Sequence, residues 1–243
     1  MSREHPLDGD HLLDGDHPLD GDHPRSRHAC AGIEATMGDL LVLFDWNGTI
    51  VADADRAQAA TNTVLTGRGL AAISAEEFSR EFCLPLGVMF TALGVPTDEA
   101  PSAERQWNHL MAATTSPARA GAGALLETLR ARGARVGVVS AAAAETVWMD
   151  LKHLQLDDLL HTVDAGIVDK LTTLASRRGE RVRAVYVGDT EYDMVCAVDA
   201  GYTAIGVSGG YCQPERLFAA GAEIVIDDLG ELIPLLEKKT VHD

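Results

Sequence analysis

Short, uninterrupted apolar runs recur along the chain from residue 40 onward and alternate with segments of helical periodicity. The first run is Leu40-Leu41-Val42-Leu43-Phe44. A strand covered on both faces reads as a continuous hydrophobic stretch rather than an alternating one, so this run predicts a buried strand. It ends at Asp45-Trp46-Asn47-Gly48-Thr49. Arg135-Val136-Gly137-Val138-Val139 is a second run and ends at Ser140, and Ala184-Val185-Tyr186-Val187 is a third and ends at Gly188-Asp189. Thr203-Ala204-Ile205-Gly206-Val207 and Glu223-Ile224-Val225-Ile226 are the fourth and fifth. Helical patterns lie between them, at about 122–132, 143–154, 168–178, 191–200 and 228–237. Strands alternating with helices predict an α/β fold with a parallel sheet and right-handed crossovers. Such sheets bind ligands beyond the carboxyl ends of their strands. Asp45, Ser140 and Asp189 fall at three of those ends, so the fold aims them at one crevice.

Residues 53–118 break the rhythm. They contain no convincing buried strand and read as several helices, with Ser74-Ala75-Glu76-Glu77 as a capping box. Gly67, Gly69, Gly94 and Pro96 mark helix ends. This predicts a helical cap inserted after the first strand and standing over its carboxyl end. The α/β core is then residues 37–52 together with 119–243.

Residues 1–36 are of another kind. They carry HPLDGD at 5–10, HLLDGD at 11–16 and HPLDGD at 17–22, a tandem six-residue repeat. Asp, Gly, His and Pro cannot build a core, so this tail is expected to be disordered. It lacks the closing Glu and the spacing of a calcium loop. Met37 directly precedes the first folded segment and is a candidate start of the natural chain.

Composition narrows the function. Of the 243 residues, 46% are hydrophobic and 23% charged, the balance of a soluble globular protein. The net charge of −17 repels nucleic-acid phosphates and anionic lipid, so neither is an expected partner. A small anionic substrate is still admissible if its site is locally positive. No apolar stretch is long enough for a membrane span. Cys30, Cys83, Cys196 and Cys212 are far apart and form no CxxC. Reduced thiols, with no apolar leader at the N-terminus, predict a cytoplasmic protein, expected as a monomer or homodimer.

The strand ends carry the chemistry. Asp45 is followed by a Gly48-Thr49 turn, where glycine lets backbone N–H groups approach an anion. Asp189 and Asp193 stand four apart where a loop enters a helix. Carboxylates there are hard oxygen ligands suited to Mg²⁺, although either also serves as a helix-starting acid. Ser140 is a second candidate, or an N-cap for the helix beginning near Ala142. Lys170 is one of only four lysines and opens a helix, where the dipole disfavours a cation.

The order Asp45-Trp46-Asn47-Gly48-Thr49, Val138-Val139-Ser140, Lys170, Gly188-Asp189-x-x-x-Asp193 resembles the haloacid dehalogenase superfamily. The resemblance runs from about residue 40 to 237, and it implies a Rossmann-like core with a helical type-one cap, as in phosphoglycolate phosphatase-like members. It also implies a Mg²⁺-dependent phosphatase acting on a small phosphorylated metabolite. By the resemblance, Asp45 would take the phosphoryl group as an aspartyl-phosphate. Mg²⁺ would lie among Asp45, the Asn47 carbonyl and Asp189, with Asp193 bound directly or through water. Gly48, Thr49, Ser140 and Lys170 would hold phosphoryl oxygens. One departure stands out: the family's phosphatases carry at position 47 an Asp that protonates the leaving oxygen, and Asn47 cannot do this. Asp53 and Asp55 are secondary candidates for that proton, against solvated or helix-starting acids as the plain alternative. Two further readings stay open, a phosphoryl transferase and a catalytically weakened phosphate-binding or regulatory protein. A phosphonatase reading fails because residues 53–118 hold no lysine for a Schiff base. The metal site argues against a dehalogenase. For the substrate, phosphoglycolate follows by analogy, and a sugar phosphate or biosynthetic intermediate fits equally. Arg56, Arg68, Arg80 and Arg105 in the cap are candidates to meet a second anionic group, against solvated helix faces as the plain alternative.

Overall fold

The first apolar run forms β1 (Leu40–Phe44), buried along its whole length. The computed structural model describes residues 37–239. The repeat-bearing tail, with Cys30, lies outside the described residues. Along β1 the side chains alternate between two apolar layers, one on each side of the sheet. Leu41 and Leu43 join one layer, and Leu40, Val42 and Phe44 join the other. Burial on both faces is the physical reason the run is continuous.

The sheet has six parallel strands in the order β3-β2-β1-β4-β5-β6. These are β2 (Arg135–Ser140), β3 (Thr162–Ala165), β4 (Arg183–Gly188), β5 (Thr203–Val207) and β6 (Ile224–Ile226). Five were expected and β3 was not. It is a half-buried edge strand of four residues, Thr-Val-Asp-Ala. With no deeply buried side chain, it leaves no apolar run to find. Its Asp164 is paired with Arg177 instead.

Residues 53–118 form α1 (Ala54–Thr66), α2 (Ala75–Glu81), α3 (Leu86–Ala92) and α4 (Ala100–Ala112). The Ser74 capping box is present: Glu77 N–H donates to Ser74 Oγ at 3.1 Å, and Ser74 N–H to Glu77 Oε2 at 2.8 Å. The apolar side chains of these helices, among them Val64, Phe78, Phe90 and Trp107, belong to the same layer as Leu41 and Leu43. Tyr211, after β5, joins the two regions. Its ring meets Phe78 and Phe82 edge-on, with centroids 5.7 and 4.7 Å apart.

The remaining helices are α5 (Ala122–Ala131), α6 (Ala144–Leu154), α7 (Lys170–Arg177), α8 (Glu191–Asp199), α9 (Pro214–Ala219) and α10 (Leu232–Lys239). Among the described residues no helix is long and apolar enough to cross a membrane.

Candidate active site

β1 and β4 are neighbours, and the Asp45 backbone N–H extends their ladder by donating to the Val187 carbonyl at 2.9 Å. Asp45 and Asp189 therefore leave adjacent strands at the same edge of the sheet. Asp193 lies one turn into α8. Oxygens of these three buried carboxylates lie within 4.8 Å of one another. Lys170, at the start of α7, is 2% exposed and sends its ammonium into this cluster. Its Nζ donates to Asp45 Oδ1 at 3.1 Å and to Asp193 Oδ1. The structure thus brings Asp45, Lys170, Asp189 and Asp193 together.

The electrostatics follow from that crowding. Burial pushes the Asp45 carboxyl up to about 6, with Lys170 opposing the rise and Asp193 adding to it. Asp189 is raised well above the usual carboxylate range by burial, then by Asp193 and Asp45. Burial alone would lower Lys170, but the Asp193 and Asp45 carboxylates outweigh it and hold the ammonium charged. Three carboxylates face one ammonium.

Each carboxylate is oriented by fixed donors. Asp189 accepts from the Thr49 hydroxyl at 2.8 Å and from the Tyr211 backbone N–H at 2.7 Å. Asp193 accepts from the Thr190 N–H at 3.0 Å, the Thr190 hydroxyl at 2.6 Å and the Tyr186 hydroxyl at 3.2 Å. Thr190 is the N-cap of α8, and its pairing with Asp193 is a capping box. Asp193 is therefore a helix-starting acid and a member of the cluster at once. Gly48 takes φ +72°, and a Cβ there would stand 2.0 Å from Asp189 Oδ2. Only glycine lets the β1 loop close this tightly on Asp189.

The loop after β1 is clamped from two sides. Asp53 is buried, and its carboxylate accepts from the Gly48 N–H at 2.8 Å and from the Asn47 side-chain amide. Arg56 Nη2 pairs with it at 2.8 Å. Arg119 donates twice to the Gly48 carbonyl, at 2.9 and 2.6 Å, and once to the Ser208 carbonyl at 2.8 Å. Asp53 is thus an ion-paired acceptor in the loop, whereas Asp55 is exposed. The Gly48 N–H and the Thr49 hydroxyl, two donors the sequence offered to a phosphate, are engaged within the protein.

Ser140 ends β2 and is buried. The helix after it begins at Ala144 with Ala143 at its N-cap, so Ser140 does not cap it. Its Oγ instead accepts from the Ala142 N–H at 3.3 Å. Asp45, Asn47, Ser140, Lys170 and Tyr211 all line one cavity of about 490 Å³. The opposite wall comes from residues 82–86 and from α4. The Tyr211 hydroxyl is buried near the Asp53 carboxylate, but it makes no hydrogen bond of good geometry among the described residues.

Sequence reasoning missed Arg119, Tyr211 and the clamping role of Asp53. Their partners lie at distant or locally unpatterned positions. The Thr190-Glu191-Tyr192-Asp193 capping box was a readable signal for the orientation of Asp193.

Comparison with known proteins agrees with this geometry. The sequence pattern of the haloacid dehalogenase-like hydrolases matches residues 42–207. The chain is 25% identical over 217 residues to pyrophosphatase PpaX of Bacillus mycoides (strain KBAB4), covering 81% of this chain and 96% of that protein. It is 30% identical over 190 residues to phosphoglycolate phosphatase of Cereibacter sphaeroides, covering 70% of this chain and 85% of that one. A crystal structure of a predicted phosphatase from Clostridium acetobutylicum superimposes with a TM-score of 0.72 at 20% identity, over 84% of this chain and all of that one, and shares the fold. With the family pattern spanning the loop after β1, Ser140, Lys170 and the Asp189/Asp193 pair in order, the chain belongs to the haloacid dehalogenase-like hydrolases.

Proposed function

We propose that this protein is a Mg²⁺-dependent phosphatase that hydrolyses a small phosphomonoester through an aspartyl-phosphate on Asp45, with α1–α4 as its cap. The observation that carries this reading is the Lys170 ammonium bridging Asp45 and Asp193 inside a buried triad of carboxylates. The names of the relatives, a pyrophosphatase and a phosphoglycolate phosphatase, support phosphate chemistry.

The donor set suits Mg²⁺. It is all oxygen, and the three buried carboxylates outnumber the positive charges near them, Lys170 in contact and Arg119 beside Asp189. Asp45, Asp189 and the Asn47 carbonyl would hold the ion. Both oxygens of Asp193 already accept hydrogen bonds, so Asp193 fits best through a water. When bound, Mg²⁺ supplies positive charge that offsets repulsion between the Asp45 carboxylate and a phosphate dianion.

The residues divide the work. An Asp45 carboxylate oxygen forms a bond to phosphorus as the ester P–O bond breaks, and the departing alcohol oxygen takes its proton from solvent water. Water then cleaves the acyl phosphate, which returns Asp45 and releases phosphate. Lys170 fixes the attacking carboxylate and, with Ser140, faces the phosphoryl oxygens. Asn47 brings no proton to the leaving oxygen, because a carboxamide is no acid at neutral pH, and its amide is held by Asp53. The absence of a carboxylate at position 47 to activate water favours a second reading, in which a slowly hydrolysed acyl phosphate passes to an acceptor other than water.

The test is hydrolysis of p-nitrophenyl phosphate with and without Mg²⁺, in the wild type and in Asp45→Asn. Turnover that needs both the metal and Asp45 is expected. Equal rates without Mg²⁺, or a fully active Asp45→Asn, overturn the reading. Acceleration by added alcohols, with phosphate appearing on them, identifies the transferase instead.

A further inference from the structure

The cavity at Asp45 has an unusual charge pattern for a site that would hold a substrate with a second anionic group beside its phosphate. Among the described residues that line it, the only cationic side chain is Lys170, and that ammonium is already shared by Asp45 and Asp193. The cap arginines are turned elsewhere. Arg56 pairs with Asp53, Arg68 with Glu99 and Arg80 with Glu81, and Arg105 is exposed and off the wall. On the cap side the wall is built from Phe82, Leu84, Pro85, Leu86 and Trp107, with Glu104 and the neutral Asn108 beside them on α4. Among the described residues Glu104 has no hydrogen-bond or ion-pair partner. A second anionic group on the substrate would therefore meet a carboxylate, one neutral amide and apolar surface, with no cationic side chain of the lining free to receive it. Its desolvation would go uncompensated. The volume of about 490 Å³ lies within the range of roughly 300–1,000 Å³ typical of small-molecule sites, and leaves room for a sizeable leaving group.

We infer that the substrate is a phosphomonoester whose alcohol carries no second negative charge, lays an apolar body against Phe82, Leu84, Leu86 and Trp107, and offers a hydroxyl or ammonium donor to Glu104. This rests on the phosphatase reading. It separates the chain from the substrates that its relatives' names describe, since phosphoglycolate and pyrophosphate each bring a second anionic group. Discrimination comes as much from the repulsive Glu104 as from the attractive wall.

The experiment compares kcat/KM, with Mg²⁺ and the full chain, across three matched esters: butyl phosphate, the same ester with a terminal amine, and the same ester with a terminal carboxylate. Phosphoglycolate and pyrophosphate are measured beside them, and p-nitrophenyl phosphate serves as the separate check on phosphatase activity. The carboxylate ester, phosphoglycolate and pyrophosphate are expected to fall about tenfold or more below butyl phosphate, the effect of one uncompensated charge contact. Glu104→Gln narrows the gap between the carboxylate and amine esters, mainly through KM. If p-nitrophenyl phosphate is hydrolysed but the series is flat, or the compounds with a second anionic group lead it, the substrate inference is overturned and the phosphatase reading stands. If Glu104→Gln leaves the ratio of amine to carboxylate ester unchanged, the role given to Glu104 is overturned. If p-nitrophenyl phosphate itself is inert with Mg²⁺, both fall together.

Discussion

The side-chain amide of Asn47 donates to the carboxylate of Asp53, which is itself buried and paired with Arg56. An Asp at position 47 would lose that donor and set a carboxylate against a carboxylate. Asn47→Asp is therefore expected to cost stability, about 1–3 kcal/mol for a buried acceptor that loses its partner. It should also raise hydrolysis of alkyl phosphates more than that of aryl phosphates, because only the poorer leaving group needs a proton as its bond breaks. Urea melts and kcat/KM for a matched alkyl and aryl pair check both halves. Unchanged stability would show that Asp53 does not depend on the amide. Equal gains for the two esters would show that another group already protonates the leaving oxygen.

Asp45→Asn should lower turnover by roughly a thousandfold or more, as loss of a nucleophile does. The fold should survive, because Asp193 still holds Lys170. The variant also reports on the charge crowding. In the folded, metal-free protein the Asp45 carboxyl is raised from 3.8 to about 6, chiefly by burial. The stability this group contributes is present below its unfolded value and is lost as pH rises through about 6. In a chelating buffer the stability of Asp45→Asn relative to wild type should therefore grow between about pH 4 and about pH 7. A constant difference over that range would contradict the crowding.

Metal binding should stabilise the fold. An ion held only by the native state adds stability by mass action, about 2.7 kcal/mol at a concentration one hundredfold above Kd. A Tm that rises with Mg²⁺ in the wild type is expected, and Asp189→Asn should lose most of the rise. The same rise in Asp189→Asn would place the ion elsewhere.

Much of this site was legible because strands buried on both faces leave unbroken apolar runs, and Asp45, Ser140 and Asp189 are the first polar side chains after three such runs. Lys170 stood out as a cation at the start of a helix, and the carboxylates of Asp45 and Asp193 are the structural reason it sits there. β3 was not legible, because an edge strand with Thr162 and Asp164 has no apolar run. The clamps were hidden for another reason. Arg119 joins carbonyls at positions 48 and 208, a pairing that exists only once the chain has folded. Asp53 looked like an ordinary helix-starting acid, and it does sit at the N-cap of α1, but its side chain makes no cap hydrogen bond there. It turns back to the loop instead.

Gly48 tests how tightly that loop must close. Its φ of +72° lies in the left-handed region, so any side chain there brings backbone strain of roughly 1–3 kcal/mol. Space compounds the strain, because a Cβ would stand 2.0 Å from Asp189 Oδ2 and 2.5 Å from its Cγ. Asp189 cannot retreat freely, since the Thr49 hydroxyl and the Tyr211 N–H fix its two oxygens. In Gly48→Ala either the loop lifts or Asp189 leaves its donors, and both outcomes pull the carboxylate cluster apart. The expected result is a folded but destabilised protein whose Mg²⁺-induced rise in Tm and whose turnover are both largely lost. Gly38→Ala is the control, because nothing lies within 4 Å of a Cβ at that position. It should melt and turn over like the wild type. If Gly48→Ala keeps its metal response while losing stability, the loop tolerates the extra carbon without moving Asp189, and the close approach is not what orders the site.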